Sequence, residues 1–133
     1  MSALRSNLDT AQASAAQGYY VAPVACDGGM TLAGPATRFA ARVAKWWRQW
    51  PDACVGIDLK KSGLVVVEIP ADEAVQTEIE RVLPPTPVVA HWGDMRRYFY
   101  RRGDGRMFPD LIARSRARGS IKVYTSGIMM VPS

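Results

Sequence analysis

Residues 46–70 read WWRQWPDACVGIDLKKSGLVVVEIP and contain a helix end followed by two apolar runs. Pro51 ends the helix, because proline has no backbone N–H to continue the hydrogen-bond ladder. The apolar runs are Val55–Leu59 and Leu64–Ile69, and the four residues 60–63 between them predict a hairpin in which Gly63 accommodates a positive φ. The second run is apolar at every position from 64 to 67, which is typical of a central strand covered on both faces.

The residues before this stretch predict two helices and one strand. Residues 3–17 are rich in Ala, Leu and Gln, and Gly18 follows where a helix C-cap would stand. Residues 19–24 are typical of a strand, and Pro23 within them favours an edge position. A second helix is expected to begin at Thr37 as its cap. Its apolar face repeats at helical spacing and consists of Phe39, Val43, Trp46, Trp47 and Trp50, which favours a core over a base-stacking platform.

The residues after this stretch predict a third helix and four more strands. Val75, Ile79 and Val82 mark the helix, and two prolines follow it. The predicted strand pairs are 88–91 with 98–101, and 121–124 with 128–131 as a closing hairpin around Gly127. The pattern predicts an α/β (α+β) fold with a mixed or antiparallel sheet, in one domain over residues 1–133.

Length and cysteine usage indicate a cytoplasmic protein. The 133 residues are enough for one core, and no apolar run is long enough to cross a bilayer. The N-terminus lacks the continuous apolar segment of a signal peptide. Cys26 and Cys54 stand far apart without metal-ligand spacing, so we expect both to be reduced and buried.

Charge is distributed unevenly along the chain. The net charge is +5, but residues 96–122 contain nine basic and two acidic residues, and the remainder contains eight basic and ten acidic ones. A segment of +7 beside a remainder of −2 favours a polyanionic partner, and the alternative is a solvated basic face without a ligand. The candidate nucleic-acid-binding residues are Arg96, Arg97, Arg101, Arg102, Arg114, Arg116, Arg118, Lys122 and Trp92.

Several phrases, taken in order, resemble the N-terminal domain of bifunctional DNA primase/polymerases (Prim-Pol), in the archaeo-eukaryotic primase superfamily. The most specific is W-x-x-W-P-D-A-x-x-G-I at residues 47–57, followed by SGLVVVEI at 62–69. GYYVAPV at 18–24, LPPTP at 83–87, YFY at 98–100 and GIMMVPS at 127–133 complete the match. The resemblance implies a sheet related to the RNA-recognition motif, with a small N-terminal α/β part. It also implies two-metal nucleotide polymerisation, which needs converging carboxylates.

The positions that carry catalysis in this family hold other residues here. The resemblance places an Asp-x-Asp or Asp-x-Glu motif at the end of the central strand, where this chain has Glu68 and Pro70. The family's phosphate-contacting histidine corresponds to Arg97, and the acid on the strand before the last hairpin corresponds to Lys122. We therefore expect a truncated member with degenerate motifs and no catalytic residues. Glu68 is a weak candidate for a metal ligand, and Lys122 would repel Mg²⁺.

The roles of single residues stay open at this stage. Glu68 is either a residual metal ligand or a strand-end carboxylate paired with Arg97 or Lys122, and Arg97 serves either phosphate or this pair. Trp92 stands in a polar turn, where it could stack on a base. His91, the sole histidine, has no nucleophile or ligand companion in sequence.

Three functions compete. The first is a catalytically inactive primase–polymerase-like protein that binds nucleic acid, preferably single-stranded DNA, in phage, plasmid or mobile-element replication or its control. The second is a protein-interaction module that binds or inhibits a replication protein. The third is an active minimal primase or nucleotidyltransferase. It would need Mg²⁺ or Mn²⁺, held by acids in new positions such as Asp58, Asp72 or Glu73; otherwise we expect no cofactor.

Overall fold

The computed structural model describes residues 6–82, 89–92, 94–101 and 121–131. These residues form four helices and seven strands. In chain order they are α1 (Asn7–Ala16), β1 (Val21–Val24), α2 (Ala40–Gln49), β2 (Cys54–Asp58), α3 (Leu59–Ser62), β3 (Leu64–Pro70), α4 (Glu73–Val82), β4 (Val89–Trp92), β5 (Met95–Arg101), β6 (Lys122–Tyr124) and β7 (Ile128–Val131). None of these four helices is both long and apolar enough to cross a bilayer.

The chain divides into two compact units. The first unit comprises Met1–Ser62 with Ser126–Ser133, and the second comprises Gly63–Thr125. Each unit combines helices with an antiparallel sheet, so the predicted mixed α/β fold is confirmed. The grouping of residues 1–133 into one domain stays a prediction.

The first unit is built on a three-stranded sheet in the order β1-β2-β7. Here β1 pairs with β2 and β2 with β7, so β1 is an edge strand, as Pro23 predicted. Helices α1 and α2 contact each other and the strands. Val43 and Trp47 of α2 are buried with Val21 and Val55 of the strands. The Trp47 indole Nε1 donates to the Ala53 carbonyl at 3.1 Å, which satisfies its polar atom inside this core.

The second unit is built on a four-stranded sheet in the order β4-β5-β3-β6. The predicted central strand is confirmed, because β3 lies between β5 and β6 and its residues 64–69 are buried. Helix α4 begins at a cap in which Asp72 Oδ1 accepts from the Val75 N–H at 3.1 Å. One hydrophobic cluster joins the helix to the sheet: Val65, Val67, Ile69, Ile79, Tyr98 and Tyr100.

The predicted hairpin of residues 55–69 is wrong. Both edges of β2 are occupied, by β1 and by β7, so β3 forms its hydrogen bonds in the other sheet. The four residues Leu59–Ser62 form the helical turn α3 instead of a two-strand connection. Asp58 Oδ1 stabilises this turn by accepting from the Lys61 N–H at 3.0 Å, and Gly63 leaves it at a φ of 67°.

The predicted closing hairpin around Gly127 is also wrong. Strand β6 pairs with β3 in the second unit, whereas β7 pairs with β2 in the first. Gly127 lies between them at a φ of 85°, and its carbonyl accepts from the Leu59 N–H at 2.9 Å. A glycine between two apolar runs is compatible with either arrangement, because the pattern does not encode the partner of each strand.

Helix α2 begins later than predicted. Its N-cap is Phe39, without a side-chain cap, and Thr37 Oγ1 instead accepts from the Phe39 N–H at 3.2 Å. The backbone of Thr37 exchanges hydrogen bonds with Val21, which holds it at the sheet edge. The predicted apolar face is therefore only partly in the core. Phe39 is 66% exposed, and Trp46 and Trp50 are half-buried.

The expectation of two buried, reduced cysteines is wrong. Cys26 and Cys54 form a disulfide with their Cα atoms 5.2 Å apart. Cys26 is exposed and Cys54 is half-buried. The register of β1 on β2 brings them together, because Val24 pairs with Cys54 and Cys26 follows two residues later. The separation of 28 residues gave no sign of this register. A cytoplasmic location stays a prediction.

Gly56→Ala should destabilise the first unit. A Cβ at this buried position in β2 would stand 2.5 Å from Ile128 Cγ2 and 2.8 Å from Val24 Cγ1. We expect the free energy of unfolding, measured with urea, to fall by roughly 1–3 kcal/mol, the usual cost of overpacking a core. Gly34→Ala is the matched control, because nothing lies within 4 Å of its added methyl group. Equal stability of the Gly56→Ala and Gly34→Ala proteins would contradict this close packing.

Candidate functional site

Three of the site residues predicted from the sequence form one row across the second sheet. Glu68 of β3 stands directly opposite Arg97 of β5 on one side and Lys122 of β6 on the other. Residues directly opposite each other in an antiparallel pair project to the same face of the sheet. Glu68, Arg97 and Lys122 therefore share a face, as expected if they occupy the positions of one former catalytic centre. We call these three residues the ionic row.

Glu68 is held by two partners. Its Oε2 accepts from Arg97 Nε at 2.7 Å, and its Oε1 accepts from the Tyr124 hydroxyl at 3.3 Å. The Glu68 side chain is 6% exposed and that of Arg97 is 15% exposed. A carboxylate buried to this extent requires such hydrogen-bonded charge compensation. Both oxygens of Glu68 are thus engaged within the protein.

Tyr124 is a partner that the sequence reasoning missed. Burial and then the negative charge of Glu68 raise the pKa of the Tyr124 hydroxyl above its ordinary value, and Arg97 opposes this shift. The hydroxyl therefore stays protonated at neutral pH and donates to the carboxylate. Its signal was present in the alternation of the strand, since Tyr124 lies two residues after Lys122 and so projects to the same face.

The structure separates some of the predicted nucleic-acid-binding residues. Arg101 and Lys122 are exposed, and the alternation of β5 places Arg101 on the face of the ionic row. Arg96 projects to the opposite face, where its Nε is buried without a hydrogen-bond partner among the described residues. Trp92 is the last residue of β4, paired with Met95. Four further candidates lie outside the described residues: Arg102, Arg114, Arg116 and Arg118.

The donor set of the ionic row does not fit a two-metal site. Glu68 supplies the row's one carboxylate. The resemblance assigns the second acid of the Asp-x-Asp or Asp-x-Glu motif to Pro70 at the end of β3, and proline has no side-chain oxygen. Arg97 and Lys122 bring positive charge to the same row, which disfavours a divalent cation. Within the described residues, no group of three or more His, Cys, Asp or Glu side chains could hold a metal ion.

The acids considered as displaced ligands have structural roles. Asp58 accepts the Lys61 N–H and Asp72 accepts the Val75 N–H, so each caps a helical turn. Glu73 is exposed in the first turn of α4, where a negative charge is favourable to the helix dipole. These positions are explained without a metal.

Comparison with known proteins gives a match to a family model. Searches of curated proteins and of solved structures found nothing that matches the chain. The family model described as the N-terminal domain of bifunctional DNA primase/polymerases (Prim-Pol) matches residues 11–132, nearly the whole chain. The match includes the strands β3, β5 and β6 that carry the ionic row. The chain therefore belongs to the bifunctional DNA primase/polymerase N-terminal domain family.

Proposed function

We propose that this protein is a catalytically inactive primase–polymerase-like domain that binds nucleic acid, with single-stranded DNA preferred over duplex. The observation that supports it best is the Glu68–Arg97 ion pair at 2.7 Å, in register with Lys122. A site that polymerises nucleotides needs free carboxylates for two metal ions. Here the one carboxylate is bound within the protein, and positive side chains accompany it.

Family membership associates the chain with DNA replication and with nucleic acid in general. A template strand is a polyanion, so carboxylates in a template cleft repel it and lysine or arginine side chains attract it. Replacement of an acid by Lys122, which is exposed, would therefore weaken catalysis and strengthen phosphate binding together. Exposed Arg101 adds a second positive charge on the same face.

The proposed biological setting is the replication of phage, plasmid or other mobile-element DNA, or the control of that replication. The ionic row offers charge and few groups for reading bases, so we expect little sequence preference, because phosphate contacts position a strand without specifying it. The same surface could alternatively engage a replication protein. Salt dependence separates the two cases, since counterion release is a property of nucleic-acid binding.

Titration of fluorescent oligonucleotides at several salt concentrations tests this proposal. We expect single strands to bind more tightly than duplexes. The logarithm of the affinity should fall with the logarithm of salt concentration with a slope of roughly −3 to −5, as several phosphate contacts predict. No measurable binding at low salt would overturn the proposal and leave a protein partner as the better explanation.

A pair of matched variants locates the surface. Arg101→Gln with Lys122→Gln removes two exposed charges from the face of the ionic row, and the slope on a single strand should become shallower by about 0.7 per residue. Lys60→Gln with Lys61→Gln removes the same charge from two exposed positions in α3 of the first unit. An equal loss of affinity in both variants would show a general charge effect and exclude a contact specific to the ionic row.

A further inference from the structure

Helix α2 presents a basic face that the overall charge distribution conceals. Arg42, Lys45 and Arg48 are all exposed along it, and exposed Arg38 precedes it by two residues. No acidic residue occurs between Asp27 and Asp52, so this segment carries +4. The net charge of −2 outside residues 96–122 hides it, because the balancing acids lie elsewhere in the sequence.

Arg42 and Lys45 have no ion-pair partner among the described residues. Within the described residues the ion pairs are Arg97–Glu68 and Arg81–Glu78, and neither involves α2. Arg42 lies in the first turn of the helix, which contains no acidic residue. A positive charge there opposes the helix dipole and so slightly destabilises α2. Arg42 therefore has a small local cost, and no ion pair within the described residues offsets it.

Aromatic side chains accompany the charges. Phe39, at the start of the helix, is 66% exposed, although phenylalanine contributes most when it is buried. The Arg38 guanidinium lies 5.5 Å from the centroid of the Tyr20 ring, within range of a cation–π interaction. Positive side chains beside exposed aromatic rings are the combination by which proteins bind single strands, through phosphate attraction and base stacking.

We propose that the exposed face of α2, with Arg38 and Phe39, is a second contact surface for single-stranded nucleic acid, carried by the first unit. Arg42, Lys45 and Arg48 contact phosphates, and Phe39 stacks on a base. The exposed ring favours a single strand over duplex DNA or an acidic protein, because the bases of a duplex are already stacked. This inference rests on the proposed function for its ligand but uses residues outside the ionic row.

The first test compares two charge-matched double variants in the oligonucleotide titration. Arg42→Gln with Lys45→Gln should make the salt slope shallower by about 1.4, or about 0.7 per phosphate contact on a single strand. It should also weaken binding at least tenfold at about 50 mM salt. Lys60→Gln with Lys61→Gln carries the same net charge and should bind like the wild type. Equal behaviour of the two variants would overturn the proposal.

The second test uses exposed apolar residues of the same unit. Phe39→Ala should weaken single-strand binding roughly fivefold or more, through loss of stacking, and should leave duplex binding unchanged. Met30→Ala is the control, because Met30 is 75% exposed and has no ring. Circular dichroism establishes that each variant is folded. Wild-type affinity in Phe39→Ala would contradict the stacking role.

The proposed contacts at α2 and at the ionic row can be tested independently of each other. Loss of binding in the α2 variant, with wild-type binding in Arg101→Gln with Lys122→Gln, would sustain this inference and remove the ionic row as a binding surface. The opposite result would sustain the proposed function and reject a contact at α2. A wild-type protein that binds no oligonucleotide would reject both.

Discussion

Glu68→Gln should lower the free energy of unfolding by about 2–4 kcal/mol, somewhat less than the roughly 3–5 kcal/mol for breaking one partner of a fully buried ion pair. The substitution keeps the size of the side chain and removes the charge that compensates Arg97 at 2.7 Å. It also weakens the hydrogen bond that Tyr124 donates. Urea denaturation at pH 7 measures the loss. We place the value below the top of the range for buried pairs because Arg97 is 15% exposed.

Two further variants separate charge compensation from packing. Glu68→Leu with Arg97→Leu removes both charges, and most of the stability should return, since apolar replacement of a whole buried pair is often neutral. Arg81→Gln breaks a pair of the same 2.7 Å length in which Arg81 is 63% exposed, and it should have no measurable effect. A Glu68→Gln protein as stable as the wild type would show that the pair does not hold the ionic row together.

Primer synthesis and primer extension should stay at background with either Mg²⁺ or Mn²⁺. The described residues bring one carboxylate to the ionic row. Pro70 and Lys122 stand where the family resemblance places acids. Acceleration by a two-metal centre requires both ions to be held about 3.5–4 Å apart by shared carboxylates. The measurement is incorporation of labelled nucleotides on a single-stranded template, with an active primase–polymerase domain as the positive control.

The Glu68→Ala variant decides how any product is interpreted. Background incorporation by the wild type and by the variant agrees with an inactive site. Template-dependent product that disappears in Glu68→Ala would establish the active alternative, with metal ligands in new positions. Product that persists in Glu68→Ala would indicate a contaminating polymerase.

The elements with strong local signals could be predicted from the sequence. The apolar run at residues 64–67 correctly predicts a buried central strand, and Val75 and Ile79 mark α4 at helical spacing. Motif positions also predicted that Glu68, Arg97 and Lys122 would meet, and they form one register row. These signals work because burial and periodicity act over a few residues and are therefore visible in any short window.

Two of the three predicted strand pairings were wrong, because pairing depends on contacts between distant residues, whereas the predicted pairing of 88–91 with 98–101 is confirmed by β4 and β5. Both proposed hairpins joined strands that are neighbours in sequence, whereas β2 pairs with β7 and β3 with β6. The disulfide followed from the same unseen register of β1 on β2. Tyr124, by contrast, could have been inferred, because it lies two residues after Lys122 and so projects to the same face, where it contacts Glu68. Local patterning determines the face of a residue but not its partner strand.

The basic face of α2 shows how an average can conceal a surface. Charge counted over long segments placed all the positive potential in residues 96–122. The helix concentrates Arg42, Lys45 and Arg48 on an exposed face, and the acids that cancel them in the count lie elsewhere. Electrostatic potential depends on distance in space. A local basic face can therefore attract phosphate even when the net charge of the longer stretch of sequence around it is slightly negative.

Crystals grown with Mn²⁺ and a nucleoside triphosphate provide the most direct test of the proposal that an ion pair replaces the family's metal site in this chain. Anomalous scattering locates manganese independently of how the side chains are built. We expect no anomalous peak at the Glu68 carboxylate and an intact Glu68–Arg97 pair. A variant with Pro70→Asp and Lys122→Asp restores the family's acids and serves as the control for metal binding. Two peaks about 3.5–4 Å apart at Glu68 in the wild type, with Arg97 displaced, would show that Glu68 binds two metal ions and would contradict an inactive site.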